Sequence, residues 1–399
     1  MKANSLNKIY FLVFLVLLFA IGNKIWKEKG NELSFDFFSK EKKKEPIEKT
    51  EKFKWSAQVS ADVAYPMEVI SGDFILSDGN GVWVPSGEFL HGDWLFSSSS
   101  SDVREDSQKV PECIMIRWFS YTENKFYLGD FELPQKKLYD LFKKDYGTSF
   151  DPDGEEYKKS YYTLMVGIAP KGMITLWMQG SVGPKEIGSY QGHAVFDEDW
   201  NDFSKNPDRK SVMKSYYDDF LPFVQKEIDD NKISNTYFKN RLKRYHYTIG
   251  TNNPDFKIHD FHIYCLNGEV MEKSNAGLEF LTDNVNGKGV PSMMAIFIED
   301  RFRHKLEVRI WVDLLDGKTT EENDHLQDPI DERAFNNQLM DRFKTFFEHN
   351  QNVELYIKFD KEIKKSNINK PVYSGKVCLK SPTNEFEIPN SKVEVYDAE

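Results

Sequence analysis

One stretch constrains the fold more than any other: two apolar runs separated by four polar residues and ended by a proline. Val110 to Tyr121 is rich in Ile, Trp, Phe and Tyr, residue types that suit a pleated, half-buried surface. Thr122 to Lys125 supplies turn residues, and Phe126 to Leu133 resumes the apolar pattern. Pro134 forces the residue before it into an extended conformation and can itself open a helix. The stretch therefore predicts an antiparallel hairpin followed by a helix.

Strand-like segments of similar length surround this hairpin. We predict them near 54–60, 67–77, 81–85, 112–121, 124–132, 161–169, 173–180 and 185–193, with a helix from Pro134 to about Tyr146. Leu138, Leu141 and Phe142 fall on one face of this helix, which indicates packing against a sheet. Consecutive strands with short connections pair antiparallel, so the expected unit is a meander with one helix laid on it.

The second half of the chain follows the same order of segments. Phe256 to Leu266, then a turn at Asn267-Gly268-Glu269, parallels Met67 to Leu76 and the turn after it. Met293 to Ile298 stands for the first hairpin strand, and Asp331 to His349 for the helix. Further strands are predicted at 304–312, 353–359, 372–379 and 385–388. The match is in order and pattern, with hardly any identity, and it predicts an internal duplication.

A segment with helical spacing of apolar residues connects the two halves. Tyr216, Tyr217, Phe220 and Val224 recur at that spacing, and Pro222 is expected to kink or split the helix. The predicted organisation is 1–26 signal anchor or signal peptide, 27–52 charged linker, 53–195 first β-rich domain, 196–243 helical connector and 244–399 second β-rich domain. The fold class is α+β, mainly antiparallel β-sheet, as two tandem related domains with one packed helix each, after an N-terminal membrane segment.

The N-terminus carries the only long apolar run. Lys2 and Lys8 precede Ile9 to Gly22, which contains no charged or amide side chain. As a helix this run is about 21 Å long, short of the roughly 30 Å hydrocarbon core unless the residues after it contribute. A small-residue pattern allows cleavage after Gly22, so a removable signal and an uncleaved anchor both remain open. Either one predicts a chain at the cell membrane with its body on the extracytoplasmic, periplasmic side.

Charge and cysteine content exclude several classes of protein. The formal net charge is -11, whereas nucleic-acid binding needs clustered Lys and Arg, so no nucleic-acid partner is expected. Cys113, Cys265 and Cys378 lie far apart, which is neither a zinc pattern nor a disulfide scaffold. Buried free thiols are expected, with Cys265–Cys378 as the one pairing worth considering.

The hairpin and its flanks resemble a known bacterial family. The residues that carry the resemblance are Trp118-Phe119-Ser120-Tyr121, Glu123-Asn124-Lys125-Phe126-Tyr127, Gly129-Asp130-Phe131, Leu133-Pro134, Tyr65-Pro66, Val166 to Pro170 and Tyr190-Gln191-Gly192. Together they resemble the domain of unknown function 2931 family over about Phe53 to His193. Members are often described as lipoproteins, which need a cysteine after the signal segment, and this chain has none there. The family has no established activity, so the resemblance implies no catalytic residue.

Short motifs do not assemble a catalytic or metal site. His259, His262 and Cys265 are spaced so that neighbours along a strand point to opposite faces. The acidic turn Asp151 to Glu156 lacks ligands that a calcium loop needs. Gly317-Lys318-Thr319 lacks the first glycine of a phosphate loop, and no Gly-x-Ser-x-Gly motif exists. No cofactor or metal is expected.

The hairpin itself offers the best candidate site. Glu123 and Asp130 could form an acid/base pair, although carboxylates at turns and strand ends are usually solvated. Aromatic residues could line a ligand-binding face or, as alternating strand residues, belong to the core; they are Trp94, Trp118, Tyr121, Tyr127 and Trp177. The candidate binding surface is Trp118, Tyr121, Glu123, Tyr127 and Asp130.

These observations favour a protein that works by binding. An exported, acidic body without a catalytic motif fits a partner of a basic protein, and an immunity-type partner of a secreted toxin is the most specific form of that hypothesis. An envelope-associated hydrolase and a structural envelope component are the alternatives.

Overall fold

A computed structural model describes residues 51–95, 99–100, 107–196, 200–254, 256–300, 303–314, 329–359 and 374–398. Thr50–Glu399 forms one compact unit, mostly β-sheet with a few helices, as predicted. We call 51–196 the first half, 200–243 the connector and 244–398 the second half. The predicted membrane segment, nearly all of the linker and Gly317-Lys318-Thr319 lie outside the described residues.

The first half is built from two main sheets. Its strands are β1 (Ser56–Ala61), β2 (Met67–Leu76), β3 (Gly81–Trp83), β4 (Phe89–Leu90), β5 (Ser99–Ser100), β6 (Pro111–Ser120), β7 (Lys125–Glu132), β8 (Thr148–Phe150), β9 (Glu156–Lys158), β10 (Tyr161–Ala169), β11 (Met173–Gly180), β12 (Lys185–Gln191) and β13 (His193–Val195). One sheet has the order β13-β7-β6-β2-β3, with β4 also paired to β2, and the other has the order β12-β11-β10-β1-β5. The predicted hairpin is confirmed, because β6 and β7 pair from Cys113 opposite Glu132 to Ser120 opposite Lys125.

The first strand corrects the expected simple meander. β1 pairs parallel with β10, from Ser56 opposite Thr163 to Ala61 opposite Ile168. A parallel pair needs a long crossover, and here the crossover is the whole hairpin sheet together with the helix. The meander prediction considered only neighbours along the chain, so it could not include this pair. β1 thereby belongs to a different sheet from β2.

Helices pack against the sheets and connect the halves. They are α1 (Gln135–Lys143), α2 (Trp200–Phe203), α3 (Arg209–Asp219), α4 (Pro222–Asp229), α5 (Thr236–Arg241), α6 (Lys273–Ala276), the 3-10 helix Leu278–Leu281 and α7 (Pro329–His349). Leu138 and Phe142 of α1 are buried, as its apolar stripe predicts. Pro222 splits the connector as predicted: it opens α4, where its missing N–H leaves no hydrogen bond unmade.

The second half forms a single larger sheet. Its strands are β14 (Tyr247–Thr251), β15 (Lys257–Cys265), β16 (Val270–Glu272), β17 (Pro291–Glu299), β18 (Lys305–Trp311), β19 (Val353–Phe359), β20 (Ser374–Lys380), β21 (Glu385–Glu387) and β22 (Lys392–Asp397). Their order is β14-β19-β20-β22-β18-β17-β15-β16, with β21 paired to β20. Strand β22 was not predicted, although Val393 and Val395 alternate with polar residues in its sequence.

The two halves use the same sequence of strand pairings. In each, the first strand pairs parallel with a strand that lies after a helix: β1 pairs with β10, which follows α1 and the short strands β8 and β9, and β14 pairs with β19, which directly follows α7. In each, three long strands form an antiparallel meander: β2, β6 and β7 in the first half, and β15, β17 and β18 in the second. The last strand of each half, β13 or β22, then pairs with the third strand of that meander. The halves differ in one pairing. In the second half β22 also pairs with β20, and this pair makes one continuous sheet of strands whose counterparts form two separate sheets in the first half. Among the described strands, no ladder joins one half to the other.

A shared core holds the halves together. Trp55, Trp177, Phe238 and Phe343 are all fully buried members of one continuous apolar cluster that spans both halves and the connector. Large aromatic side chains contribute most to such a core, because each removes a large apolar area from water. On α7 the buried residues include Leu339, Phe343 and Phe346, which confirms the predicted face of that helix.

Candidate functional site

The aromatic residues of the predicted binding surface belong to the core. Trp118 and Tyr127 are buried and stack with ring centroids 5.5 Å apart. Tyr121 is 5% exposed, and its hydroxyl donates to Glu68 Oε2 at 2.5 Å. Trp94 and Trp177 are buried as well. These rings therefore do not form an exposed ligand-binding face; the alternating strand pattern places them inside, as the core interpretation has it.

Glu123 ties the hairpin tip to the neighbouring sheet. Its side chain is only 2% exposed. One carboxylate oxygen accepts from the Tyr127 hydroxyl at 3.0 Å and the other from the Lys171 backbone N–H at 2.8 Å. The Lys171 ammonium is 3.3 Å away. Lys171 and Gly172 both have positive φ in the β10–β11 turn, and a side chain on Gly172 would collide with Tyr127. The carboxylate thus stabilises a tight turn and has no free lone pair directed at a substrate.

Asp130 is too far from Glu123 for the predicted acid/base pair. It lies five residues along β7 from Lys125, the first strand residue after the turn. At about 3.3 Å per residue, Asp130 lies roughly 17 Å along the strand from Lys125, and Glu123 lies in the turn before Lys125. Paired carboxylates in glycoside hydrolysis are about 5–10 Å apart. The structure therefore separates these two predicted residues, and Asp130 is exposed where Glu123 is enclosed.

Asp130 instead belongs to an outward-facing region of the hairpin sheet that we call the open face. Strand register places Trp83, Asp73, Met115 and Asp130 side by side across four strands. Trp83 is 44% and Met115 47% exposed, which is unusual for large apolar residues. The neighbouring rows, on the same side of the sheet, contain Ile75, Cys113, Glu132, Ser71, Arg117 and Leu128. The open face consists of these ten residues.

Helices cover the other end of the same sheet surface. There Phe119 and Phe126 form a second apolar cluster with Trp200, and Phe203 and Tyr216 pack against it. Arg209 of α3 donates to Asn124 in the hairpin turn and lies over the Trp200 ring. The sheet surface is therefore capped at the hairpin tip and uncapped at the open face. Strand pattern alone predicts both ends to be outward-facing and cannot distinguish them.

The open face is acidic. Three carboxylates, Asp73, Asp130 and Glu132, accompany one base, Arg117. The pKa of the Cys113 thiol is raised by partial burial and then by the negative charges of Asp130, Glu112 and Glu132. Carboxylates thus outnumber bases around the exposed apolar side chains of Trp83 and Met115.

On the corresponding surface of the second half, the basic side chains form ion pairs with neighbouring carboxylates. Strand register places Tyr264, Met293, Trp311 and Lys392 in one row. The Lys392 ammonium lies over the Trp311 ring and pairs with Glu394 at 2.9 Å. Arg309 pairs with Glu307 at 2.8 Å and lies over a neighbouring ring. Cations and carboxylates alternate here, so this surface lacks the acidic excess of the open face.

A cleft lies where the two halves meet. It has a volume of about 380 Å³, and its lining comes from Lys185 of β12, Arg244 at the start of the second half and the segment 269–289. The lining residues are Lys185, Arg244, Glu269, Met271, Asn275, Ala276, Glu279, Phe280, Asp283, Asn286, Gly287, Lys288 and Gly289. Sequence reasoning did not find this cleft, because its residues are distant along the chain and carry no shared motif.

The structure offers no metal site among the residues it describes. Within those ranges no group of three or more His, Cys, Asp or Glu side chains could hold a metal ion. His259 lies 3.6 Å from Glu299, whereas His262 packs against the Phe297 ring. Cys265 is buried, and burial raises its pKa to about 12. All three cysteines are free, so the Cys265–Cys378 pairing is wrong.

Comparisons with known proteins extend the resemblance seen in the hairpin. No helix in the described part of the chain is long and apolar enough to cross a membrane. No curated protein matches the chain. A family model described as "Protein of unknown function (DUF2931)" matches residues 39–234, which takes in the whole hairpin sheet, the capping helices and α4. The predicted family is therefore confirmed, and the first half of this chain with most of its connector belongs to DUF2931.

Proposed function

We propose that this chain is a membrane-anchored, extracytoplasmic protein that works by binding a basic protein partner through the open face. The observation that carries the proposal is the row Trp83, Asp73, Met115 and Asp130, in which exposed apolar and acidic side chains alternate across four paired strands. Exposed large apolar residues framed by charge are typical of protein interaction sites.

Charge selects the class of partner. The chain has a formal net charge of -11, and the open face has three carboxylates to one guanidinium. Such a surface attracts a basic partner over long range and accelerates its association at low salt. An immunity-type interaction with a basic secreted toxin is the most specific form of this proposal. The N-terminal apolar run, placed before the charged linker, supports attachment to the extracytoplasmic side of the membrane.

A photo-crosslinking residue at position 115 of the full chain tests the proposal in cells that produce it. The matched control carries the same residue at Tyr264, which is 42% exposed on the corresponding surface of the second half. We expect a basic protein to be captured from position 115 and not from 264. With that protein purified, Asp130→Lys should slow association about tenfold, and wild-type association should slow as salt rises. Equal capture at both positions, or capture of a second copy of this chain alone, would reject the proposal.

The alternatives make different demands on the same molecule. A hydrolase based on Glu123 and Asp130 needs two carboxylates near one bond. Asp130 lies roughly 17 Å along β7 from the turn that contains Glu123, and this placement does not supply that arrangement. A structural envelope component would present the open face to copies of itself, so the crosslinks would be between identical chains. The crosslinking experiment therefore distinguishes binding from structural assembly.

We further infer that the two halves are tandem related domains, each with one helix packed on its sheet. The support is the repeated order of pairings, including a parallel pair in each half whose two strands are separated along the chain by the other strands and a helix. The family match covers only the first of the two, and such divergence agrees with a duplication that retains order and pattern but little identity.

A further inference from the structure

The cleft between the halves has basic side chains, paired with carboxylates, on one side and acidic side chains on the other. On one side Lys185 comes from β12 and Arg244 from the start of the second half, with side chains 28% and 33% exposed. Their fixed partner is Glu269, whose side chain is 2% exposed and lies 3.0 Å from Lys185 and 2.8 Å from Arg244. Arg244 also reaches Glu186 at 2.7 Å. Both cations are thus held in place while remaining accessible from the cleft.

The other side of the cleft is acidic. Glu279 lies in the 3-10 helix and is exposed, and Asp283 follows in the next turn. Asp283 is held by the Val285 backbone N–H and the Asn286 amide, both at 2.7 Å. In the described part of the chain, no ion pair engages Glu279. This wall therefore presents one fixed and one available carboxylate.

A lysine and an aromatic ring also line the cleft. Lys288 is 2% exposed, donates to the backbone carbonyl of Tyr247 at 2.6 Å and to that of Asp283, and lies over the Phe280 ring. The half-buried Phe280 and the buried Met271 provide apolar contact. The carbonyl bonds anchor the acidic turn to β14, which fixes the position of that wall.

We propose that this cleft binds a small zwitterion, a free amino acid or a dipeptide, with its carboxylate toward Lys185 and Arg244 and its ammonium toward Glu279 and Asp283. Lining bases and acids balance at three each: Lys185, Arg244 and Lys288 against Glu269, Glu279 and Asp283. A ligand with a single charge would be attracted by the side chains on one side of the cleft and repelled by those on the other. The volume of about 380 Å³ corresponds to roughly a dozen waters, which is room for a dipeptide.

Three matched ligands test the two ends separately by calorimetric titration of the full chain in detergent. They are alanyl-alanine, its N-acetylated form without the ammonium, and its amide without the carboxylate. We expect the dipeptide to bind and each blocked form to bind at least about tenfold more weakly. Equal binding of all three, or no heat from the dipeptide at millimolar concentration, would overturn the proposal.

A variant then assigns the ammonium end. Glu279→Gln should weaken the dipeptide about tenfold and leave thermal unfolding unchanged, since Glu279 is exposed. Glu132→Gln on the open face is the matched control and should not alter dipeptide binding. Unchanged dipeptide affinity in Glu279→Gln would contradict the assignment. Because the open face and the cleft share no residue, failure of either proposal leaves the other intact.

Discussion

Two charged clusters join the first half to the rest of the molecule, and they shift the pKa of their buried carboxyl groups in opposite directions. The Glu269 cluster contains Glu269, Glu186, Lys185, Arg244 and Asn267. Burial alone would raise the pKa of Glu269, but the charges and hydrogen bonds of Lys185 and Arg244 lower it to about 2. Both carboxylate oxygens of Glu269 have a donor within 3.2 Å. This is a buried ion pair whose desolvation is offset by close partners.

The Asp62 cluster contains Asp62, Asp93, Glu332, Arg241 and Arg333 around a cavity of about 20 Å³, room for about one water. Here burial dominates, and the nearby guanidinium charges reduce its effect only in part, so the pKa of Asp62 and that of Glu332 are raised. Arg241 donates to the Leu266 carbonyl and Arg333 to the Tyr65 hydroxyl. Among the described residues, no close ion pair joins either base to Asp62 or Glu332. Nearby opposite charges are therefore not enough to lower the pKa of a buried carboxyl group. Direct contact with the cation decides whether the pKa is lowered or raised.

The largest effect is expected at the paired cluster. Glu269→Gln leaves Lys185 and Arg244 without their shared carboxylate at the junction of the halves. Removing one partner of a buried pair costs about 3–5 kcal/mol in the free energy of unfolding. Denaturant unfolding of the full chain measures this. The control Glu385→Gln breaks an exposed pair with Lys358 and should cost less than about 1 kcal/mol. Similar small losses in both variants would show that the Glu269 cluster is no stronger than a surface pair.

Local pattern predicted the elements of this fold far better than their assembly. The hairpin from Pro111 to Glu132 and the helix ending at His349 follow directly from alternating and helical periods. The β1–β10 pair does not, because it joins strands about a hundred residues apart, and periodicity carries no information on partners at that range. The same limit applies to the pairing of β22 with β18, which is distant in sequence.

The candidate site shows the same division. Asp130 was predicted to be part of a binding surface and lies on the open face, because its strand position makes it outward-facing. Trp118 and Tyr127 occupy inward positions, which the alternation itself indicates. Trp83 and Met115 were missed, since their exposure depends on where the capping helices end. The cleft could not be predicted, because Lys185 and Glu279 meet only through the contact between halves.

The second largest effect is a loss of stability in acid. The pKa of Glu269 is about 2 in the folded state against 4.5 for the unperturbed group. A lowered carboxyl pKa stabilises the fold above the unfolded pKa, and this contribution disappears as pH falls from about 4.5 toward 2. It amounts to about 3 kcal/mol. Unfolding free energies measured from pH 6 to pH 2 should fall more steeply in the wild type than in Glu269→Gln. Parallel curves would place the acid sensitivity elsewhere, for example at Glu272. Lys159 lowers the pKa of Glu272 as well, although burial acts in the opposite direction.

The smallest effect has the opposite sign and comes from the Asp62 cluster. The raised pKa of Asp62 means that the folded state favours the protonated form, so its contribution to stability is present at low pH and is lost as pH rises through the folded pKa. Asp62→Asn keeps an oxygen for the Ala64 N–H, which now bonds Asp62 at 2.8 Å, and removes the ionisation. We expect the variant to gain stability relative to the wild type as pH rises from 4 to 7, by about 1 kcal/mol. Unfolding of the exposed-turn control Asp153→Asn should show no such pH-dependent difference. If Asp62→Asn is instead destabilised most at pH 7, Asp62 acts as a true ion-pair partner of the arginines. The two clusters would then not differ in how they affect a buried carboxylate.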